Sequence, residues 1–267
     1  MTKWFHKCDL NWLRARQQFL TATDVKELLP ITKTGRKRTV NDETYLKVLA
    51  RKMVNLTEDD CVSTGAAARG HILEPYAIDR YNEVDYGKND YLWHWDNVVV
   101  TRKDPNRFSL AFSPDAMSYS MPHNTSDKID TVMSCFSDMS ITIGEIKSYS
   151  PERHIIAAYT PKKELEERWQ IATAMAVCKS IETAYLLLYN PSISNQLYIV
   201  DYDRRDLVDE IEMVLEVEKN WLAWFAAFNK PSFYHTVIGE PDEEQAIIRS
   251  IMKQEELNPE NERSVIL

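Results

Sequence analysis

With 267 residues and 44% hydrophobic content, the chain is long enough to bury a sizeable core in one large domain. No run of about 18 apolar residues occurs and no apolar stretch of signal-peptide length begins the chain, so we expect a cytoplasmic protein without a membrane span. The net charge of −9 argues against a protein that coats itself with nucleic acid, although the segment from Thr32 to Arg38 is locally basic.

Helical periodicity marks the first third of the chain. The helical segments are residues 9–29 (two helices joined by a turn), 43–54 and 65–80. Thr21 or Thr23 is expected to cap the second helix, because a hydroxyl oxygen can accept a hydrogen bond from a free backbone N–H. Residues 31–42 are polar and basic, which is typical of a mobile loop.

The middle of the chain changes to strand patterns. The strand-like segments are residues 91–93, 97–101, 108–112 and 140–147. The remaining elements are a long helix, two strands and a last helix, at residues 162–179, 184–189, 196–200 and 205–228. This order predicts an α/β protein with a central mixed β-sheet flanked by helices. One domain is expected over residues 1–230, followed by a partly disordered carboxyl-terminal extension over residues 231–267.

Three charged side chains could form a reaction centre. Glu145 and Lys147 alternate on one face of their strand, and Asp115 follows the turn Ser113-Pro114 at the end of another strand. Two carboxylates that converge are good ligands for magnesium, and a lysine beside them can orient or deprotonate the attacking water. Glu-X-Lys on a strand is more often a solvated face or an ion pair, so Asp115 is what favours the catalytic interpretation.

Two polar residues on predicted helices add to this set. Glu74 lies close to the apolar stripe of its helix, and Gln170 lies on the helix that follows the Glu-X-Lys strand. Each alone is more often a polar residue of a helix surface. Together they offer the further oxygen ligand and the amide that a phosphodiesterase pocket would use. The four cysteines are scattered and are expected to be reduced thiols.

Taken in order, these motifs resemble the YqaJ-like viral recombinase and bacteriophage lambda exonuclease family of the PD-(D/E)XK nuclease superfamily. The resemblance runs from Trp12 to Tyr189. It rests on Trp12-Leu13-X-X-Arg16, Thr21-Ala22-Thr23-Asp24-Val25, Gly70-X-X-X-Glu74, Ser113-Pro114-Asp115, Glu145-Ile146-Lys147, and Gln170 with the helix after it. The ordered set is more specific than any one of its motifs, and it implies a PD-(D/E)XK core.

The resemblance also implies a role for each matched position. Asp115 and Glu145 would ligate the metal together with the Ile146 carbonyl, and Lys147 would be the catalytic lysine. Other matched residues would act around this centre: Glu74 as an added carboxylate near the metal, Gln170 in positioning substrate or Lys147, and Arg16 with Thr23 in holding the terminal 5′ phosphate of DNA.

The implied activity is a magnesium-dependent 5′ to 3′ exonuclease, with Mn²⁺ as a possible substitute, that acts on double-stranded DNA ends and leaves 3′ single-stranded overhangs for phage-type recombination. A single-strand annealing protein is the implied partner, and a trimer is the implied homo-oligomer. The chain departs from the family at Thr23, where serine is usual, in a longer loop between Asp115 and Glu145, and in the extension past Asp206.

Two alternatives stay open at this point. The same fold could serve an endonuclease of restriction or repair type, or a catalytically inactive module that binds DNA ends. The basic segment from Lys33 to Arg38 could contact the duplex backbone or be an ordinary solvated loop. The aromatic run from Trp221 to Phe228 favours core or subunit packing over a platform for stacking bases.

Overall fold

The computed structural model describes residues 5–32, 35–85, 91–95, 97–102, 105, 107–118, 132–134 and 140–228. Its helices are α1 (Leu10–Gln17), α2 (Ala22–Leu28), α3 (Asp42–Lys52), α4 (Gly65–Asp85), α5 (Pro151–Tyr159), α6 (Arg168–Val177) and α7 (Val208–Phe228). Its strands are β1 (Phe5–Lys7), β2 (Val62–Thr64), β3 (Trp93–His94), β4 (Val99–Thr101), β5 (Ala111–Phe112), β6 (Ala116–Met117), β7 (Val132–Ser134), β8 (Ile141–Lys147), β9 (Ile181–Tyr189) and β10 (Leu197–Asp203). Short 3-10 turns cover Glu58–Cys61, Lys162–Glu164 and Arg204–Leu207.

A five-stranded mixed sheet forms the centre of the fold, in the order β10-β9-β8-β6-β3. Strands β8 and β9 are parallel, and their neighbours pair antiparallel. Because two parallel strands need a crossover connection, α5 and α6 span the return from β8 to β9. A second sheet of three strands has the order β5-β4-β7. The predicted α/β class with a mixed sheet and flanking helices is therefore confirmed.

Helix α4 covers one face of the central sheet. Its apolar residues share one core with Leu92, which directly precedes β3, and with residues of β6, β8 and β9. This core includes Leu73, Ala77, Ile78, Tyr81, Leu92, Ala116, Ile146, Tyr185, Leu187 and Tyr189. Asn82 strengthens the contact, because its side chain donates to the Leu92 carbonyl at 2.8 Å and accepts from the Leu92 N–H at 3.0 Å. This packing holds β3, β6 and β8 side by side.

The structure corrects three expectations. Helix α5 was not predicted, although Ser150 followed by Pro151 is a typical helix start, and Ser150 caps the helix. The predicted long helix over residues 162–179 is instead a 3-10 turn followed by α6, because the backbone is extended at Leu165. Cys178 is disulfide-bonded rather than reduced, since scattered positions in the sequence can still meet in the fold.

Gly144 lies where strands β6 and β8 pack closely. A Cβ atom at this position would lie 3.0 Å from Leu92 Cδ1 and 3.2 Å from Ala116 Cβ. Ala116 sits on the neighbouring strand and cannot turn away, so we expect Gly144→Ala to lower the free energy of unfolding by about 1–3 kcal/mol. Urea denaturation monitored by circular dichroism measures this loss. An unchanged urea midpoint would show that the sheet accommodates the added methyl group without loss of stability.

The chain divides into two compact units, residues 1–222 and 223–267. In the first unit Trp221 is fully buried, as the core-packing interpretation of the aromatic run predicts. In the second unit the structure describes residues 223–228, where the rings of Trp224 and Phe228 stack with centroids 4.5 Å apart. The predicted extension over residues 231–267 lies outside the described residues, and the boundary near residue 230 stays a prediction.

Residues 33 and 34 of the basic loop after α2 lie outside the described residues. The Arg38 guanidinium donates to the Leu29 carbonyl at 2.8 Å, and so it satisfies a carbonyl at the carboxyl end of α2. At least this member of the segment therefore has a structural contact. Over the described ranges, no helix combines the length and the apolar character that crossing a bilayer requires.

Candidate active site

The register of two strands brings the predicted carboxylates together. Strands β6 and β8 pair antiparallel, with Ala116 opposite Gly144. One position further along this register, Asp115 lies opposite Glu145, and residues directly opposite one another share a face of the sheet. Asp115 Oδ2 also accepts a hydrogen bond of 2.8 Å from the Ile146 N–H, which fixes its carboxylate against β8. The turn before β6 therefore delivers Asp115 to Glu145, as the sequence predicts.

Lys147 completes the group from the same face of β8. Its ammonium donates to Glu145 Oε1 and lies 3.3 Å from the Ile146 carbonyl oxygen. The two side chains are only 25% and 12% exposed, respectively, so their charges act in a medium that screens them less than water. The lysine is thus held beside both carboxylate-bearing strands.

The charges of this group act strongly on one another. Burial raises the pKa of the Asp115 carboxyl well above its ordinary value, and Glu145 and Glu74 add to the rise. Burial acts to lower the pKa of Lys147, but the attraction of Glu145 and Asp115 outweighs it, so that this pKa is raised. The Asp115 carboxyl, whose ionisation its neighbours oppose, and the Lys147 ammonium, which they stabilise, together mark a place that favours positive charge.

Gln170 approaches the same carboxylate from α6. Its Nε2 donates to Glu145 Oε1 at 2.7 Å, so the predicted amide does reach the centre. Its Oε1 accepts from Lys26 Nζ on α2 at 3.0 Å. Lys26 was not among the predicted site residues. The available signal was its place on α2, one turn after Thr23 and on the same side of the helix.

Glu74 lies near Asp115 and Glu145, but its carboxylate pairs with two histidines. Its Oε1 is 3.2 Å from His71 Nδ1 and its Oε2 is 3.7 Å from His94 Nε2. Burial alone would raise the pKa of Glu74, but the two histidines lower it to about 2. Glu74 also raises the pKa of Asp115, which places its charge within range of the centre. Sequence reasoning missed both histidines; the spacing from His71 to Glu74 was a usable signal, whereas nothing in the sequence pointed to His94.

The predicted phosphate-binding residues lie on consecutive helices. The Arg16 guanidinium, near the end of α1, lies over the Trp12 ring at 4.5 Å. Burial lowers its pKa, while Asp24 and Asp115 oppose that shift, so Arg16 is within electrostatic range of the centre. Thr23 is exposed in the first turn of α2. Within the described part of the chain, no hydrogen bond joins the Arg16 and Thr23 side chains.

The donor chemistry of the centre fits a hard divalent cation. Among the described residues, no three His, Cys, Asp or Glu side chains are grouped closely enough to hold a metal ion on their own. The available oxygens are the carboxylates of Asp115 and Glu145 and the Ile146 carbonyl, which are the ligands that magnesium prefers. The Lys147 ammonium already lies against two of these groups, so a positive charge stands where the resemblance expects a metal.

Two crystal structures of an alkaline exonuclease from Laribacter hongkongensis are similar to this chain, one of them a complex with dAMP. Each has a TM-score of 0.54 and 18% sequence identity, and each alignment covers 92% of this chain and 100% of the exonuclease chain. The likeness establishes the fold. The predicted mixed sheet flanked by helices is thereby confirmed, and the fold shared with an exonuclease is consistent with the expected PD-(D/E)XK-like core. No protein-family model matches the sequence, and no curated protein matches it.

Proposed function

We propose that this chain is a metal-dependent deoxyribonuclease that hydrolyses phosphodiester bonds at the centre formed by Asp115, Glu145 and Lys147. The observation that carries the proposal is the placement of the Asp115 carboxylate, directly before β6, opposite the Glu145 carboxylate on β8, with the lysine on the same face. The shared fold with an alkaline exonuclease supports it. The cofactor is Mg²⁺, and Mn²⁺ can substitute for it.

The residues of the chain have separate tasks in this mechanism. Asp115, Glu145, Glu74 and the Ile146 carbonyl would hold the metal, which would supply an activated water and offset phosphate charge. Lys147 would donate to an oxygen of the scissile phosphate, where negative charge grows in the transition state. Gln170 holds Glu145 in place through its hydrogen bond to Oε1. Water attacks the phosphorus in line, and no covalent intermediate is needed.

The proposed substrate is the end of linear double-stranded DNA, digested 5′ to 3′ so that 3′ single strands remain for phage-type recombination. Arg16 and Thr23 support this choice, because a guanidinium and the amino-terminal turn of a helix are both suited to a phosphate with two charges. The proposed partners are a single-strand annealing protein and further copies of the chain, which would form a trimer.

Digestion of matched linear and covalently closed circular plasmids tests the proposed substrate. In Mg²⁺ we expect the linear form to be degraded and the closed circle to stay intact, because an end-binding site has no ligand on a circle. The Glu145→Gln variant, purified in parallel, shows whether a contaminating nuclease contributes to the digestion. Efficient cutting of the closed circle would overturn the exonuclease assignment in favour of an endonuclease.

Arg16→Ala is expected to remove the preference for 5′-phosphorylated ends. Loss of a charge-assisted hydrogen bond to the terminal phosphate should lower the rate on 5′-phosphorylated DNA by about 10- to 100-fold and leave the rate on 5′-hydroxyl DNA nearly unchanged. The matched control is Arg14→Ala, since Arg14 is exposed on the same helix and donates to the Leu56 carbonyl. If both variants retain the same end preference, Arg16 does not bind the phosphate.

A further inference from the structure

Lys26 connects helix α2 to the centre through Gln170. Lys26 Nζ donates to Gln170 Oε1 at 3.0 Å, and Gln170 Nε2 donates to Glu145 Oε1 at 2.7 Å. The same Glu145 oxygen accepts from Lys147. The two lysines therefore flank one amide and one carboxylate in a continuous chain of hydrogen bonds that joins α2, α6 and β8.

The chemistry of the amide gives Lys26 a definite task. An amide has a donating and an accepting end of nearly equal shape, and only its NH₂ end can bond to a carboxylate. An ammonium donates and never accepts, so Lys26 fixes the carbonyl end of Gln170 toward α2. The NH₂ end must then face Glu145. Without Lys26 the reversed amide would set a carbonyl oxygen against the carboxylate.

The electrostatic cost of Lys26 indicates that packing alone does not explain it. Burial lowers the pKa of its ammonium, and repulsion from Lys147 lowers it further. An apolar side chain would fill the space between α2 and α6 without desolvating a charge. The attraction of Glu145 is among the effects that oppose this shift, so the ammonium is stabilised by the carboxylate that it helps to orient.

We infer that Lys26 is a positioning residue of the cleavage centre, which orients the Gln170 amide and thereby holds Glu145 for the metal. Both described contacts of the Glu145 carboxylate fall on Oε1, so Oε2 is the oxygen that a cation can take. This inference rests on the proposed function and extends it to α2, the helix that also carries Thr23.

The test compares Lys26→Met, Gln170→Met, the double variant and Lys47→Met. Lys47 is the matched control because its side chain is 67% exposed and its ammonium pairs with Glu43 on the same helix. Mn²⁺ binding is measured by calorimetry without DNA, and kcat and KM are measured on linear duplex. We expect Lys26→Met to weaken Mn²⁺ binding and lower kcat by about 10- to 100-fold with KM unchanged, as is usual for residues that orient metal ligands.

The double variant decides whether Lys26 acts through Gln170. We expect the double variant to lose no more kcat and Mn²⁺ affinity than Gln170→Met alone. Lys26→Arg keeps a cationic donor, so we expect it to recover most of the loss, and it serves as the test even if the methionine variant folds poorly. The inference is overturned if Lys26→Met has the same Mn²⁺ affinity and kcat as Lys47→Met, or if the losses in kcat of the two single variants multiply in the double variant. It is also overturned if Lys26→Met raises KM in a salt-dependent way, because that would indicate a phosphate contact. A wild-type protein that binds Mn²⁺ but cleaves no DNA would instead overturn the proposed function.

Discussion

Glu145→Gln is expected to abolish DNA cleavage while the protein stays folded. The substitution keeps the size of the side chain but removes the charge that binds Lys147 and faces Asp115. In the proposed mechanism Glu145 would be a metal ligand, and loss of a residue that only orients a metal ligand already costs about 10- to 100-fold. Loss of the ligand itself should cost more, so we expect a fall in kcat of at least about 10³-fold.

The control for this substitution is Glu182→Gln. Glu182 is exposed on β9, the strand next to β8, so the same chemical change is made on the same sheet away from the centre. Cleavage rates on linear duplex and thermal unfolding are measured for both variants. Unchanged cleavage by Glu145→Gln would contradict the assigned centre. A loss of cleavage explained by unfolding of Glu145→Gln at the assay temperature would show that the role of Glu145 is structural.

Asp24→Ala is expected to cost the most stability among the polar substitutions considered. Asp24 Oδ2 lies 2.5 Å from Lys52 Nζ, and the two side chains are only 5% and 6% exposed. The backbone N–H and the hydroxyl of Thr21 also donate to Asp24, at 2.9 and 2.7 Å. Removing the carboxylate leaves the Lys52 ammonium buried without its partner, which costs about 3–5 kcal/mol of unfolding free energy.

A double variant and a surface pair serve as controls for this prediction. Asp24→Ala combined with Lys52→Met removes both charges and should be more stable than Asp24→Ala alone, because no unpaired charge stays buried. Glu43→Ala breaks an exposed ion pair with Lys47, whose side chains are 70% and 67% exposed, and should leave stability nearly unchanged. Chemical denaturation of all three measures the differences. If the double variant loses as much unfolding free energy as Asp24→Ala alone, the unpaired Lys52 ammonium is not the cause of the loss.

The sequence predicted those parts of the fold that depend on local pattern. Alternation along residues 140–147 predicted β8 and the common face of Glu145 and Lys147, and the Ser-Pro turn predicted that Asp115 would reach them. Helices α1 and α2 were predicted from apolar spacing, with Thr21 as one of two candidate caps. Helix α5 was missed because the apolar residues after the start signal at Ser150 are consecutive, from Ile155 to Tyr159, and do not recur at helical spacing.

The rest of the centre depends on contacts between distant parts of the chain. Lys26 and Gln170 are 144 positions apart, and no spacing rule predicts that α2 and α6 place them 3.0 Å from one another. His94 reaches Glu74 because α4 packs across the face of the central sheet, whose edge strand β3 carries His94. Such partners are set by tertiary packing, which a single sequence does not specify locally.

The most direct test of the central claim is digestion of linear duplex DNA labelled at either its 5′ or its 3′ end, with Mg²⁺ and with a chelator. We expect release of the 5′ label as mononucleotide while the 3′ label stays on long strands, complete loss of activity in the chelator, and recovery with added Mg²⁺ or Mn²⁺. Metal-independent digestion, or no digestion by the wild-type chain under any of these conditions, would contradict a metal-dependent nuclease centre at Asp115, Glu145 and Lys147.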